Sequence, residues 1–90
     1  MNPRLREILT ITQEEAAEVI QEISKCFRFG MDGHLEGAAS HRENLENEIA
    51  DLLVMIDLLK EEGIISDPAL EVAKLRKIKK LQVWSEIYRS

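Results

Sequence analysis

The sequence has one cysteine, two prolines and four glycines, and aromatic side chains make up only 4% of it. A lone thiol, Cys26, cannot close an intrachain disulfide, which fits a reducing compartment. Cys26 reads as a small buried hydrophobe. Long hydrophobic runs are also missing. The longest, Leu52 to Leu59, contains Asp57 and is too short to cross a bilayer. The first residues lack an apolar signal segment, so the expected setting is the cytoplasm, with no membrane partner. An excess of positive charge is absent too. Twelve Lys and Arg against seventeen Asp and Glu leave a formal net charge of −5. That excludes a protein that coats a nucleic-acid polymer, but not one that binds a small phosphorylated ligand, because a bound cation inverts the local sign.

What is present is enough for one domain over residues 1–90. The chain is 44% hydrophobic and 32% charged, a globular and soluble balance. No stretch reads convincingly as a strand, whereas three read as helices. The first spans Pro3 to Phe29, with proline in the first turn. Thr12 and Glu15 have capping-box spacing, but the apolar spacing continues through Ile8, Ile11, Val19 and Cys26, which predicts one unbroken helix. Gly30, Gly33 and Gly37 mark a loop over residues 30–39. Ser40 and Glu43 then start a second helix that stops at Gly63. Asp67 and Pro68 start a third that runs to about Tyr88. The second helix is apolar around most of its circumference, from Leu45 and Ile49 through Leu59. Such a helix wants burial on several sides, and two neighbours in one short chain cannot supply it. The expected architecture is therefore an all-α, three-helix protomer that forms a helical bundle as a homodimer, or as a homotetramer built as a dimer of dimers.

Several carboxylates sit where apolar residues belong. At about 100° per residue, Ile8, Val19 and Cys26 share one face of the first helix to within about 20°. Glu15 lies roughly 20° from Ile8 and Glu22 roughly 40°. Glu18 lies roughly 20° from Ile11, at the stripe's edge, while Glu14 points away with Glu7 and Gln21. On the second helix, Glu48 projects between Met55 and Leu59, and Asp51 beside Leu58. On the third, Lys74 and Lys77 share a face with Leu70, Leu81 and Trp84. An unpaired buried carboxylate costs several kcal/mol or is driven neutral, so converging carboxylates need compensation.

Three arrangements supply it. The carboxylates can lie on the core's rim, partly paired with lysine. They can set partner choice in a non-catalytic helical oligomerisation or adaptor module. Or they can ligate a metal inside a helical bundle. Oxygen-only donors suit a hard cation, Mg²⁺ with Mn²⁺ as the alternative. An i,i+3 pair points both carboxylates to one side, so Glu15 with Glu18 and Glu48 with Asp51 can clamp ions between facing helices. His34 and His41 read as solvated surface residues. Phe27, Phe29 and Trp84 read mostly as core, with stacking on a base as their functional use.

The string Glu14-Glu15-Ala16-Ala17-Glu18, followed by Glu48-Ile49-Ala50-Asp51 on the next helix, resembles the E-E-x-x-E … E-x-x-D signature of the all-α nucleoside triphosphate pyrophosphohydrolases, the MazG-like superfamily. The resemblance extends over residues 4–85. It implies a cytoplasmic enzyme of nucleotide-pool housekeeping that hydrolyses a nucleoside triphosphate to the monophosphate and pyrophosphate. It implies Mg²⁺ held by Glu15, Glu18, Glu48 and Asp51, in a dimer or tetramer of helical bundles. Within that scheme Glu22, or Glu14, orients or deprotonates the attacking water. Lys74 and Lys77, with Lys25 and Arg28 as weaker candidates, neutralise the phosphates. Phe29 and Trp84 are the candidate base-stacking residues. The connection between the two acidic motifs is long and glycine-rich, which leaves the preferred base open.

Overall fold

A computed structural model describes residues 1–89, and those residues are all helical apart from caps, loops and turns. The helices are α1 (Pro3–Phe29), α2 (His41–Glu61) and α3 (Asp67–Trp84). Each start is satisfied by a side-chain cap. Asn2 accepts from the Leu5 N–H at 2.7 Å, Ser40 from Glu43 at 3.2 Å and Ser66 from Ala69 at 3.3 Å. The helix α1 is continuous, as its apolar spacing predicts. The Thr12 hydroxyl donates back to the Ile8 carbonyl at 2.7 Å instead of capping a new start. The third helix ends four residues before Tyr88, because the Ser85 hydroxyl and N–H both donate to the Leu81 carbonyl and turn the chain.

The helices α1 and α2 pack as an antiparallel hairpin. Its open end holds the apolar core: Ile8, Met55 and Leu59 are buried, with Leu5, Leu9, Ile11, Leu58 and Ile65 around them. At the other end, residues 30–40 make the connection. There the His41 N–H donates to the Gly33 carbonyl and the Arg42 N–H to the Met31 carbonyl. Gly33 is required, since a Cβ would collide with the Phe29 carbonyl oxygen.

The connection from α2 to α3 is short, which ordinarily lays the next helix back along its neighbour. Here it does not. Gly63, at φ +74°, and the bond from the Ile64 N–H to the Leu59 carbonyl turn the chain at once. Ile65 then turns into the end of the hairpin core. Lys60 pairs with Asp67 at 2.8 Å and fixes where α3 begins. The helix leaves sideways. The molecule measures 44 × 39 × 14 Å, and a two-helix hairpin is only about 20 Å wide with its side chains, so the second dimension belongs to α3. No residue of α3 is buried. The radius of gyration is 16.3 Å, against about 12 Å for a compact chain of this length. The accessible surface is 7169 Å², against about 5,400 Å² for a compact monomer of this mass.

The apolar surface left in view is specific. On α2, Ile49, Leu53 and Val54 are exposed, the face that one chain cannot cover. Phe27 and Trp84, expected mainly in the core, are 87% and 84% exposed, and Phe29 is 59% exposed. The reason is the same for all three. Phe27 and Phe29 stand at the C-terminal end of α1, away from the buried cluster of Ile8, Met55 and Leu59, and Trp84 ends the helix that stands off.

Candidate functional site

The hairpin places Glu15 of α1 opposite Glu48 and Asp51 of α2. Each offers a carboxylate oxygen, and these oxygens all lie within 4.8 Å of one another. Glu15 and Glu48 are half-buried and Asp51 is exposed. The arrangement follows from local geometry. The i,i+3 spacing keeps Glu48 and Asp51 on one side of α2, and packing of Ile8 against Met55 and Leu59 fixes which part of α1 they face.

Glu48 carries the electrostatic cost. Its carboxyl is raised above the ordinary range, first by desolvation and then by repulsion from Glu18, Asp51, Glu15 and Glu22. No lysine or arginine side chain pairs with Glu15, Glu18, Glu48 or Asp51 among the described residues. The donor set fits a hard divalent cation. Ligands at 2.0–2.1 Å from Mg²⁺ stand about 4.2 Å apart when opposite and about 3 Å when adjacent. Oxygens already within 4.8 Å need only small side-chain rotations to close on one ion. Glu18 lies outside this triad and is exposed on the same helix. Its proximity is still felt, as the first charge acting on Glu48. Glu14 is exposed, as its projection predicts.

Glu22 is buried at 5% exposure, the one charged residue so enclosed among the described residues. It is not a free base. The His41 Nδ1 lies 2.9 Å from one of its oxygens, and it donates there when that nitrogen carries the proton. Lys25 stands 3.9 Å from the other. His41 is thus not the solvated residue that its sequence position suggests. It is half-buried, its ring stacked on Phe29 with centroids 5.4 Å apart. The signal for this pairing was an antiparallel hairpin, which sets the first turn of α2 against the last turns of α1, where Glu22 faces inward. Beside the pair lies a hollow lined by Lys25, Phe29, His34, Leu35 and His41.

The remaining candidates are not gathered. Lys74 pairs with Glu71 on its own helix at 3.0 Å, and both it and Lys77 are exposed on α3, away from the hairpin. Arg28 lies over the neighbouring Phe29 ring, 5.3 Å from its centroid. Trp84, at the far end of α3, does not line the hollow beside Phe29. Among the described residues, no helix is long and apolar enough to cross a membrane. In comparisons with known proteins, no family model matches this chain, no curated protein matches it, and no solved structure matches it.

Proposed function

We propose that the chain is a Mg²⁺-dependent nucleoside triphosphate pyrophosphohydrolase, working as a homodimer or homotetramer. The observation that carries this reading is the triad of Glu15, Glu48 and Asp51. Three carboxylate oxygens converge within 4.8 Å, and among the described residues no Lys or Arg side chain pairs with them. A divalent cation held between them would remove that repulsion. The resemblance of the two acidic motifs to the all-α pyrophosphohydrolases supplies the reaction.

Glu15, Glu48 and Asp51 would hold the cation, with Glu18 one turn along α1 as a further donor. A bound Mg²⁺ supplies Lewis-acid polarisation of the phosphate oxygens and a water acidified at neutral pH. The protein's own contribution is placement. The hairpin holds the carboxylates rigidly, and the Glu22–His41 link locks α1 against α2 beside them. That link makes Glu22 a positioning residue in preference to a proton acceptor. Glu14, solvated on the outer side, is free to act on a water only through a rearrangement of its side chain. Lys25 lines the same hollow as the Phe29–His41 stack and would be a cation for a phosphate chain there, and the Phe29 ring offers a face for a base. Arg28, one residue before Phe29 and over its ring, is the weaker cation candidate, and Trp84 is the second aromatic candidate.

The exposed apolar faces of α2 and α3 also favour a non-catalytic oligomerisation module. One experiment separates the two. The protein is incubated with a panel of nucleoside triphosphates, with and without Mg²⁺, and pyrophosphate is measured. Turnover should be Mg²⁺-dependent, and Glu48→Ala or Asp51→Ala should lower it at least ~100-fold with helical circular dichroism unchanged. Full activity in either variant sinks the assignment. Absence of turnover together with a melting temperature indifferent to Mg²⁺ and nucleotide favours the module.

A further inference from the structure

We infer that the hollow at the loop end of the hairpin is a receptor for a phosphate group carried on a flat ring, and that His41 takes up a proton as the phosphate binds. The site stands apart from the cation triad and needs no metal. His41 precedes Glu48 by seven residues, about 10 Å along α2.

The walls of the hollow fit such a ligand. It measures about 530 Å³, within the roughly 300–1,000 Å³ of small-ligand sites. Phe29 and Leu35 give it apolar surface, and every ionisable side chain that lines it is basic: Lys25, His34 and His41. In a chain of net charge −5, that lining is a local reversal of sign.

Glu22 stands behind the imidazole. It is 5% exposed, and one of its oxygens lies 2.9 Å from the His41 Nδ1. An imidazolium at this position therefore has its counter-ion already in place. The other ring nitrogen, Nε2, has no hydrogen-bond partner among the described residues. Backbone amides at the start of a helix commonly bind anions, but here they are spent. The His41 N–H donates to Gly33, the Arg42 N–H to Met31, the Asn44 N–H to the Ser40 carbonyl and the Glu43 N–H to the Ser40 hydroxyl. An anion in the hollow is left with side-chain donors, the Lys25 ammonium and the His41 Nε2–H. Lys25 is only loosely held, 3.9 Å from Glu22 and half exposed.

The proton follows from the charges around the ring. From α1 these are Glu22, Lys25, Arg28 over the Phe29 ring, and the Cys26 thiol, which donates to the His41 carbonyl at 3.9 Å. From the connection they are His34 and Asp32, and on α2 itself Arg42, paired with Asp32, and Glu43. Lys25, Arg42 and the positive end of α2 oppose a charge on His41, whereas Glu22 favours it. A phosphate monoester, with a charge of about −1.5 to −2 at pH 7, adds to the favourable side. The ring that carries the phosphate meets Phe29, whose own ring is 59% exposed.

The test uses the full chain in EDTA, without Mg²⁺, so that it reads this site and not turnover. Phenyl phosphate, phenol and inorganic phosphate are each titrated into ¹⁵N-labelled protein, and the imidazole nitrogens are followed by NMR. The chain has two histidines, and His41→Asn, which keeps a donor toward Glu22, assigns their signals. Phenyl phosphate should carry the His41 nitrogens to imidazolium shifts at pH 7.5. Its affinity should fall from pH 7 to pH 8.5 by up to about tenfold per unit, the slope of one linked proton. Inorganic phosphate should bind at least ~10-fold more weakly, the worth of one stacked ring. His41→Asn should abolish the slope, while Lys25→Ala should weaken binding at every pH and keep it. No change at His41 with phenyl phosphate, or binding without a pH slope, overturns the receptor. An equal response to phenol overturns the phosphate, and equal affinity for inorganic phosphate overturns the ring. If a nucleoside monophosphate binds here with the same proton uptake while the Mg²⁺ panel yields no pyrophosphate, the pyrophosphohydrolase reading fails and the receptor stands.

Discussion

In the α1–α2 hairpin, Ile8, Met55 and Leu59 fall below 9% exposure; in α3 no side chain does. Both regions are rich in aliphatic residues and well capped. The difference lies in what each helix finds within its own chain. The helix α1 meets α2 across a loop that leaves them antiparallel, and their apolar stripes face each other. The helix α3 has Val72, Leu75 and Val83 on offer, each 61% exposed, and no partner. Helix propensity and capping are worth little without a surface to cover, so the hairpin should be the stable unit of a single chain and α3 the conditional one.

The sharpest way to break this contrast is to cut both regions equally. Met55→Ala should destabilise the hairpin by about 2–5 kcal/mol, the ordinary cost of a buried methionine truncated in a core. Leu75→Ala, at concentrations where the chain is monomeric, should cost under ~0.5 kcal/mol. Urea unfolding followed by circular dichroism measures both, and equal costs would mean that α3 is packed in the single chain after all.

A second prediction sharpens the hairpin side. Glu22→Ala leaves the His41 imidazole half-buried without its acceptor, which should cost about 1–3 kcal/mol. Under the proposed function it should also weaken Mg²⁺ affinity, while Lys25→Ala, which removes a partner 3.9 Å away, should change stability by under ~0.5 kcal/mol. Isothermal titration and thermal melts read these.

The smallest effect concerns pH. The folded-state pKa of Glu48 is raised, by desolvation and then by its acidic neighbours. The native state therefore binds more protons than the unfolded one between the unfolded and folded values, and Glu48's ionisation costs stability as pH rises through that interval. In metal-free protein, Glu48→Gln should raise the melting temperature at pH 7 and leave it unchanged near pH 4. A drop at pH 7 would show that the carboxylate is stabilised by some group in the chain.

Much of this was legible in the sequence. The span of α1 follows from its apolar spacing, and the three helix starts from Pro3, from Ser40 with Glu43, and from Asp67 with Pro68; the capping roles of Asn2 and Ser66 came only with the structure. The approach of Glu15 to Glu48 and Asp51 follows from projection onto two facing helices. The rest depended on tertiary direction. Projection puts Lys74 and Lys77 on an apolar face, but it cannot tell that Ile65 and Lys60 turn the whole helix aside. It places Glu22 inward, but the imidazole that takes its oxygen comes from nineteen residues away. Phe27 and Trp84 are aromatic and read as core, yet both lie toward helix ends and stay largely exposed among the described residues.

The sideways departure of α3 also shapes how the molecule would come together in time. Contacts between α1 and α2 close over one short loop, so the hairpin can zip up within a lone chain at a rate independent of how many others are present. A helix that finds its complement only on a second chain must wait for a collision. Refolding should then divide into a fast first-order phase and a slower one whose rate climbs with protein concentration. The second phase vanishes on dilution while the first does not.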